Sequence, residues 1–181
     1  MKRIILIGYM GAGKTTIGMT LSRLTSMQFI DLDQTIENHF QQRISEMFAT
    51  EGEDVFRQRE HEMLKEVLKN PNVIIAAGGG TPCFYDNMKL MNEQADTVFL
   101  NCKTQSIIEH LHISHSSRPL LEGKTDEELK MFIQNSINDR IRYYSQAQHV
   151  IDVPTLHTKE DIEEIAKKIA ELCNISLRHS S

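Results

Sequence analysis

Gly8, Gly13, Lys14 and Thr15 fit the pattern G-x-x-x-x-G-K-T. They lie between the apolar run Arg3–Ile7 and the stretch TTIGMTLSRLT, whose apolar residues recur at helical spacing. No other feature constrains the fold as tightly: a short strand must feed a glycine turn, and the turn must open a helix. Glycines let successive backbone N–H groups face one anion, and the helix N-terminus adds positive potential for phosphate. In such a loop the lysine reaches the β- and γ-phosphates and the Thr15 hydroxyl can ligate Mg²⁺. Gly11, Ala12, Gly13, Lys14, Thr15 and Thr16 are therefore the expected nucleotide-binding residues. A plain glycine turn with an exposed lysine is the alternative, and it leaves the matched flanks unexplained.

Five apolar runs read as strands: Arg3–Ile7, Gln28–Asp31, Val73–Ala77, Thr97–Asn101 and His149–Val153. Three are continuous and β-rich, as expected of strands covered on both faces. Segments of helical spacing separate them. This alternation predicts an α/β fold with a parallel sheet sandwiched by helices. The 181 residues suit a single domain spanning 1–181. The polar stretch HISHSSRPLLEGKTDEE is the longest candidate loop, read as a mobile lid over roughly residues 111–125. It ends in a capping-box pattern, Thr125 to Glu128, and a second box, Thr158 to Asp161, opens the last helix.

The net charge of -5 argues against a nucleic-acid binder held by a basic field. Three scattered cysteines, Cys83, Cys102 and Cys173, give neither a disulfide framework nor a zinc spacing, which favours a reducing cytoplasm. The apolar run at the start breaks at Gly8 without a cleavage-like end, and nothing approaches a membrane span.

The phosphoryl acceptor must be read from the rest of the chain. The second strand ends in FIDLD, which puts Asp31 and Asp33 on one side of an extended segment at the carboxyl edge of the sheet. One carboxylate can serve Mg²⁺, and the other can accept a hydrogen bond from an attacking hydroxyl. The alternative for Asp33 is a cap on the following helix. On a helix over Glu53–Lys69, Arg57 and Glu60 fall inside the apolar arc and Arg59 outside it. On a helix over Asp126–Gln146, Arg140 falls inside the arc and Arg142 opposite. An inward charge needs a partner. Glu60 is placed to pair with Arg57, whereas Arg140 has no acidic neighbour at i±3 or i±4. Two inward guanidiniums suit a carboxylate or phosphate on a substrate, structural ion pairs being the alternative. After the third strand, Gly78, Gly79 and Gly80 allow close approach of a ligand, with Thr81 and Pro82 read as N-cap and first helical residue. Arg118, before a proline in the long loop, is read as a charge stabiliser folding over the phosphates, or else as a solvated arginine.

Taken in order, GYMGAGKTT, FIDLD, FRQRE, GGGTP, RPLL and the Arg140/Tyr144 pair resemble shikimate kinase over nearly the whole chain. The resemblance implies a nucleoside-monophosphate-kinase-like P-loop NTPase fold with a five-stranded parallel sheet and a lid. It implies transfer of the γ-phosphoryl of ATP to the 3-hydroxyl of shikimate, with Mg²⁺ as cofactor, in aromatic amino-acid biosynthesis. Lys14, Asp33 and Arg118 would be catalytic, with Arg118 reaching the ATP phosphates. Asp33, Arg57, Gly79, Gly80 and Arg140 would hold shikimate. Glu60 would orient Arg57, and Thr15 and Asp31 would serve the metal. The expected partners are ATP and shikimate, with neither nucleic acid nor membrane, in a cytoplasmic monomer. The chain departs from the family in two places. An arginine usual in the lid about seven residues before Arg118 is Leu111 here, flanked by His110 and His112, and an Ala-Asp pair after Tyr144 is replaced by Gln148 and His149. In the family that arginine contacts the adenine side, and the turn VPTLHT is expected near the base. Two other readings remain open: another small-molecule P-loop kinase, such as a gluconate or nucleoside-monophosphate kinase, and a non-catalytic ATP-binding regulatory module.

Overall fold

The structure is a computed structural model that describes residues 2–113 and 125–178. Five strands, β1 (Arg3–Ile7), β2 (Gln28–Asp31), β3 (Val73–Ala76), β4 (Asp96–Cys102) and β5 (His149–Val153), form one parallel sheet in the order β2-β3-β1-β4-β5. The central strand β1 pairs with β3 and β4, so the loop leaving its carboxyl end emerges at mid-sheet. Ile4 to Ile7 are fully buried. Ile4 and Leu6 face one helical layer, Ile5 and Ile7 the other. Each such side chain stabilises the fold by about 1.5–3 kcal/mol.

The first layer holds α1 (Lys14–Thr25), α6 (Thr104–Ile113) and α8 (Lys159–Leu172). The second holds α2 (Leu32–Phe40), α3 (Ile44–Glu51), α4 (Glu53–Val67) and α5 (Asn87–Gln94). The helix α7 (Asp126–Tyr144) joins the two. Leu129 and Ile133 pack in the first core, and Tyr144, at its far end, packs in the second. The expected five-stranded α/β sandwich is thus observed. The predicted bounds differ slightly: β4 runs one residue further at each end, where Asp96 pairs with Ile4 and Cys102 with Val153. The two long helices stop at Val67 and Tyr144, each about a turn or less before the sequence pattern ends. Both predicted capping boxes form, at Thr125/Glu128 and Thr158/Asp161.

Candidate active site

At the end of β1 the chain turns through Gly8, Gly11 and Gly13, with φ of 147°, 77° and 94°. Gly11 and Gly13 sit in the left-handed region that a Cβ disfavours. Gly13 then caps α1, so the helix's first amides, which lack intrahelical acceptors, open beside the loop. Lys14 curls over it, its Nζ donating to the carbonyls of Gly8 (2.7 Å) and Tyr9 (3.0 Å). Gly11, Gly13, Lys14, Thr15 and Thr16 line one wall of a cleft of about 490 Å³, and Asp31, Asp33 and Gly79 line it as well. Ala12 is buried behind that wall.

The two aspartates are not placed as an extended segment would place them. Asp31 ends β2 and caps α2, its Oδ1 accepting from the Gln34 amide at 3.2 Å while Oδ2 accepts from the Thr15 hydroxyl at 2.7 Å. Asp33 lies in the first turn of α2, so the capping role considered for it belongs to Asp31. The Asp33 carboxyl is pushed up to about 6, chiefly by burial and then by the charges of Glu60 and Asp31, with Lys14 and Arg57 opposing. Thr15 and Asp31 supply hard oxygen donors on one side of the cleft. That suits Mg²⁺, which takes few protein ligands and keeps waters and phosphate oxygens. No cluster of three His, Cys, Asp or Glu suited to a metal occurs among the described residues.

The arginines stand beside the three glycines. Arg57 is 12% exposed; its Nη1 donates to Glu60 Oε2 (2.8 Å), while its Nε (3.2 Å) and Nη2 (3.1 Å) donate to Glu53 Oε1. The guanidinium lies 4.1 Å from the Phe84 ring centroid and 5.1 Å from that of Phe56. Glu60, 1% exposed, also accepts from the Thr81 hydroxyl at 2.6 Å. Thr81 therefore does not cap a helix. It opens a single 3₁₀ turn, Thr81–Cys83, behind Gly80. Asn87 Nδ2 donates to the Thr81 carbonyl (2.9 Å), and its Oδ1 contacts His61 Nδ1 at 2.6 Å, which makes that nitrogen the donor. Arg140 has no ion pair among the described residues. It lies 5.4 Å from the Tyr9 ring centroid and would be 3.4 Å from a Cβ on Gly79. Tyr144 donates to the Gly79 carbonyl at 2.6 Å, and burial pushes its phenol up to about 12. Gly80 is buried against Arg57 rather than lining the cleft.

The two arginines expected to face away do so. Arg59 pairs with Glu51 and stacks on Phe40, and Arg142 lies on Tyr143. Arg118 and most of the 111–125 segment lie outside the described residues. Sequence reasoning missed the roles of Thr81, Asn87, His61 and His110. It paired Tyr144 with Arg140 without finding its hydroxyl bond to Gly79. For Tyr144 the signal was present, because it is four residues after Arg140.

A P-loop opposite two inward guanidiniums, with a carboxylate between them, calls for a phosphoryl transfer to an anionic small molecule. The sequence model of shikimate kinase matches residues 10–173. The chain belongs to the shikimate kinase family. The shikimate kinase of Bacteroides thetaiotaomicron is 43% identical over 97% of this chain and the full length of that protein. Its crystal structure superposes with a TM-score of 0.93, covering 96% of this chain and 99% of that one. A shikimate kinase from Acinetobacter baumannii, solved in complex with shikimate, is 28% identical with a TM-score of 0.81, covering 95% and 92%. The P-loop, D-x-D and arginine motifs thus sit on the family's own architecture.

Proposed function

We propose that this chain transfers the γ-phosphoryl of ATP to the 3-hydroxyl of shikimate, acting as a cytoplasmic, monomeric single domain. The observation that carries the reading is that Arg140 and Arg57 stand against Gly79 and Gly80, of which Gly79 lines the cleft together with the P-loop and Asp33. Arg57 is held in place by Glu60 and an aromatic wall, and Arg140 is left for a ligand anion. Together they take the shikimate carboxylate, and Gly79 admits the ring close to the backbone. Asp33 then faces the hydroxyl. With its carboxyl near 6 it is matched to accept a proton near neutral pH.

The phosphates lie on the amides of residues 11–16 beneath Lys14. Thr15 and Asp31 would hold Mg²⁺, which would supply charge neutralisation for the phosphates. Lys14 leaves the carbonyls of Gly8 and Tyr9 for the phosphates, and Arg118, from the segment read as a lid, adds charge to them. The transition state of phosphoryl transfer is loose, so placement contributes more than base strength. Gluconate kinase, nucleoside-monophosphate kinase and regulatory-module readings have no observation in their favour here.

The test is ADP release by the purified protein with ATP and Mg²⁺, offered shikimate, gluconate and nucleoside monophosphates in turn. Release stimulated by shikimate alone is expected. Stimulation by another acceptor alone, or by none, refutes the proposal.

A further inference from the structure

His110 makes two hydrogen bonds that no phosphoryl-transfer chemistry requires. Its Nδ1 lies 2.7 Å from the Gly11 carbonyl, and its Nε2 accepts from the Leu156 amide at 2.7 Å. An N–H pointed at Nε2 leaves that nitrogen unprotonated, so the ring is the neutral Nδ1–H tautomer and donates to Gly11. One imidazole therefore ties the crest of the phosphate loop to the turn that follows β5. Residues 11 and 156 are far apart in sequence, and both line the cleft.

The neighbours of His110 on α6 serve the same junction. Ser106, one helical turn earlier, accepts from the Thr155 hydroxyl at 2.8 Å. Leu111 packs on the phosphate loop, 3.2 Å from where a Cβ on Gly11 would lie. The turn they hold carries Leu156, whose Cδ1 reaches 3.0 Å from a Cβ placed on Gly13. Leu156, His157 and Ile162, with Ile113 and His110 from α6, line the end of the cleft away from the arginines. This end combines the apolar side chains Leu156, Ile113 and Ile162 with two imidazoles, surfaces on which a nucleobase can pack, and the arginine expected near the base is Leu111 here.

We infer that His110 is a positioning residue for the nucleotide, and that it fixes the nucleobase wall by holding Leu156 through Nε2 and the phosphate loop through Nδ1. The inference rests on the ATP reading of the cleft. It predicts that loss of His110 weakens nucleotide binding while the acceptor site, built on α4, α7 and the glycines, is untouched.

The test compares wild type with His110→Ala, His110→Gln and His110→Asn. ADP affinity is read by calorimetry, KM for ATP and shikimate by steady-state kinetics, and folding by thermal melts. Wild-type ADP binding is measured first, because its failure overturns the ATP reading itself and is distinct from every variant result. His110→Ala is expected to weaken ADP binding and raise KM for ATP about tenfold, on the order of 1.4 kcal/mol for the lost bonds. KM for shikimate should change far less than KM for ATP, since His110 bonds Gly11 and Leu156 and none of the residues read as holding the acceptor. His110→Gln places an amide oxygen where Nε2 sits and is expected to recover most of the ADP affinity. His110→Asn keeps only the donor to Gly11 and is expected to behave like the alanine variant. An unchanged ADP affinity in the alanine variant overturns the inference. So does a loss shared equally by both substrates, or a glutamine variant no better than alanine.

Discussion

Gly80→Ala tests the acceptor site without replacing any side chain assigned to a ligand. Gly80 has φ of -93° and ψ of -15°, which alanine adopts without strain, so the backbone itself does not object. The methyl does meet an obstacle, because a Cβ at this position would lie 2.6 Å from Arg57 Nη2, 2.9 Å from Nη1 and 3.0 Å from Cζ. Ordinary contact needs roughly 3.5 Å, so the guanidinium must retreat by about 1 Å. It has little room, since Phe84 and Phe56 stand against it and Glu60 holds Nη1 at 2.8 Å. A retreat of that size takes the Nη1 bond beyond hydrogen-bonding reach. A guanidinium so displaced is expected to lose one charge-assisted bond to the acceptor carboxylate, about 2 kcal/mol or roughly 30-fold in affinity. The expected result is a KM for shikimate raised by about that factor, with KM for ATP within about twofold of wild type. ADP release at saturating ATP and Mg²⁺, with shikimate varied, measures both. A double-mutant cycle decides the cause. Arg57→Ala alone should weaken shikimate binding by about 2–5 kcal/mol. In that background Gly80→Ala should add almost nothing, because both act through one guanidinium. Independent, additive effects, or an unchanged KM in Gly80→Ala, refute the steric argument.

Asp33→Asn should be inactive yet more stable. Its carboxyl sits at about 6 instead of 3.8, so the folded chain binds that proton more tightly than the unfolded chain. The wild type therefore loses stability as pH rises from about 4 through about 6, and asparagine escapes the loss. Ligand-free melts should show the variant ahead by about 1–3 kcal/mol near neutral pH and level with wild type near pH 4; a gap independent of pH rejects this. Arg140→Ala should raise KM for shikimate at least about tenfold, as for a buried charge contact, while Arg142→Ala stays within about twofold; equal effects mean the helical phase of α7 is misjudged. Tyr144→Phe leaves the Gly79 carbonyl short of a donor and should cost about 1 kcal/mol in denaturant unfolding with a modest rise in KM for shikimate; no change in either measurement removes Tyr144 from the acceptor site.

The inner strands β1, β3 and β4 were legible because they are buried almost throughout and so show as largely unbroken apolar sequence, whereas the edge strands β2 and β5 are partly exposed and carry polar residues. The inward arginines were legible because α4 and α7 keep a regular phase over many turns. Periodicity reports which face a residue lies on, and that sufficed for Arg57 and Glu60, three residues apart. It carries no information on contacts between distant segments. Thr81 reads locally as a helix cap before a proline, but its hydroxyl turns to Glu60, 21 residues away. His110 reads as one more polar residue at the end of α6, and its two bonds reach Gly11 and Leu156. Asp31 and Asp33 were located correctly at the sheet edge. Their division of labour depends on α2 starting one residue after Asp31, a boundary that composition does not mark.

The tyrosines beside Arg140 have a spectroscopic consequence. The chain contains no tryptophan and four tyrosines, at 9, 85, 143 and 144. Tyr9 lies under the Arg140 guanidinium, and Tyr144 is buried with its hydroxyl on Gly79. Half of the protein's intrinsic emitters thus sit at the acceptor end of the cleft, with no brighter indole to mask them. Filling that end with an anion should change ultraviolet emission directly, so acceptor binding is readable in the unlabelled protein without turnover.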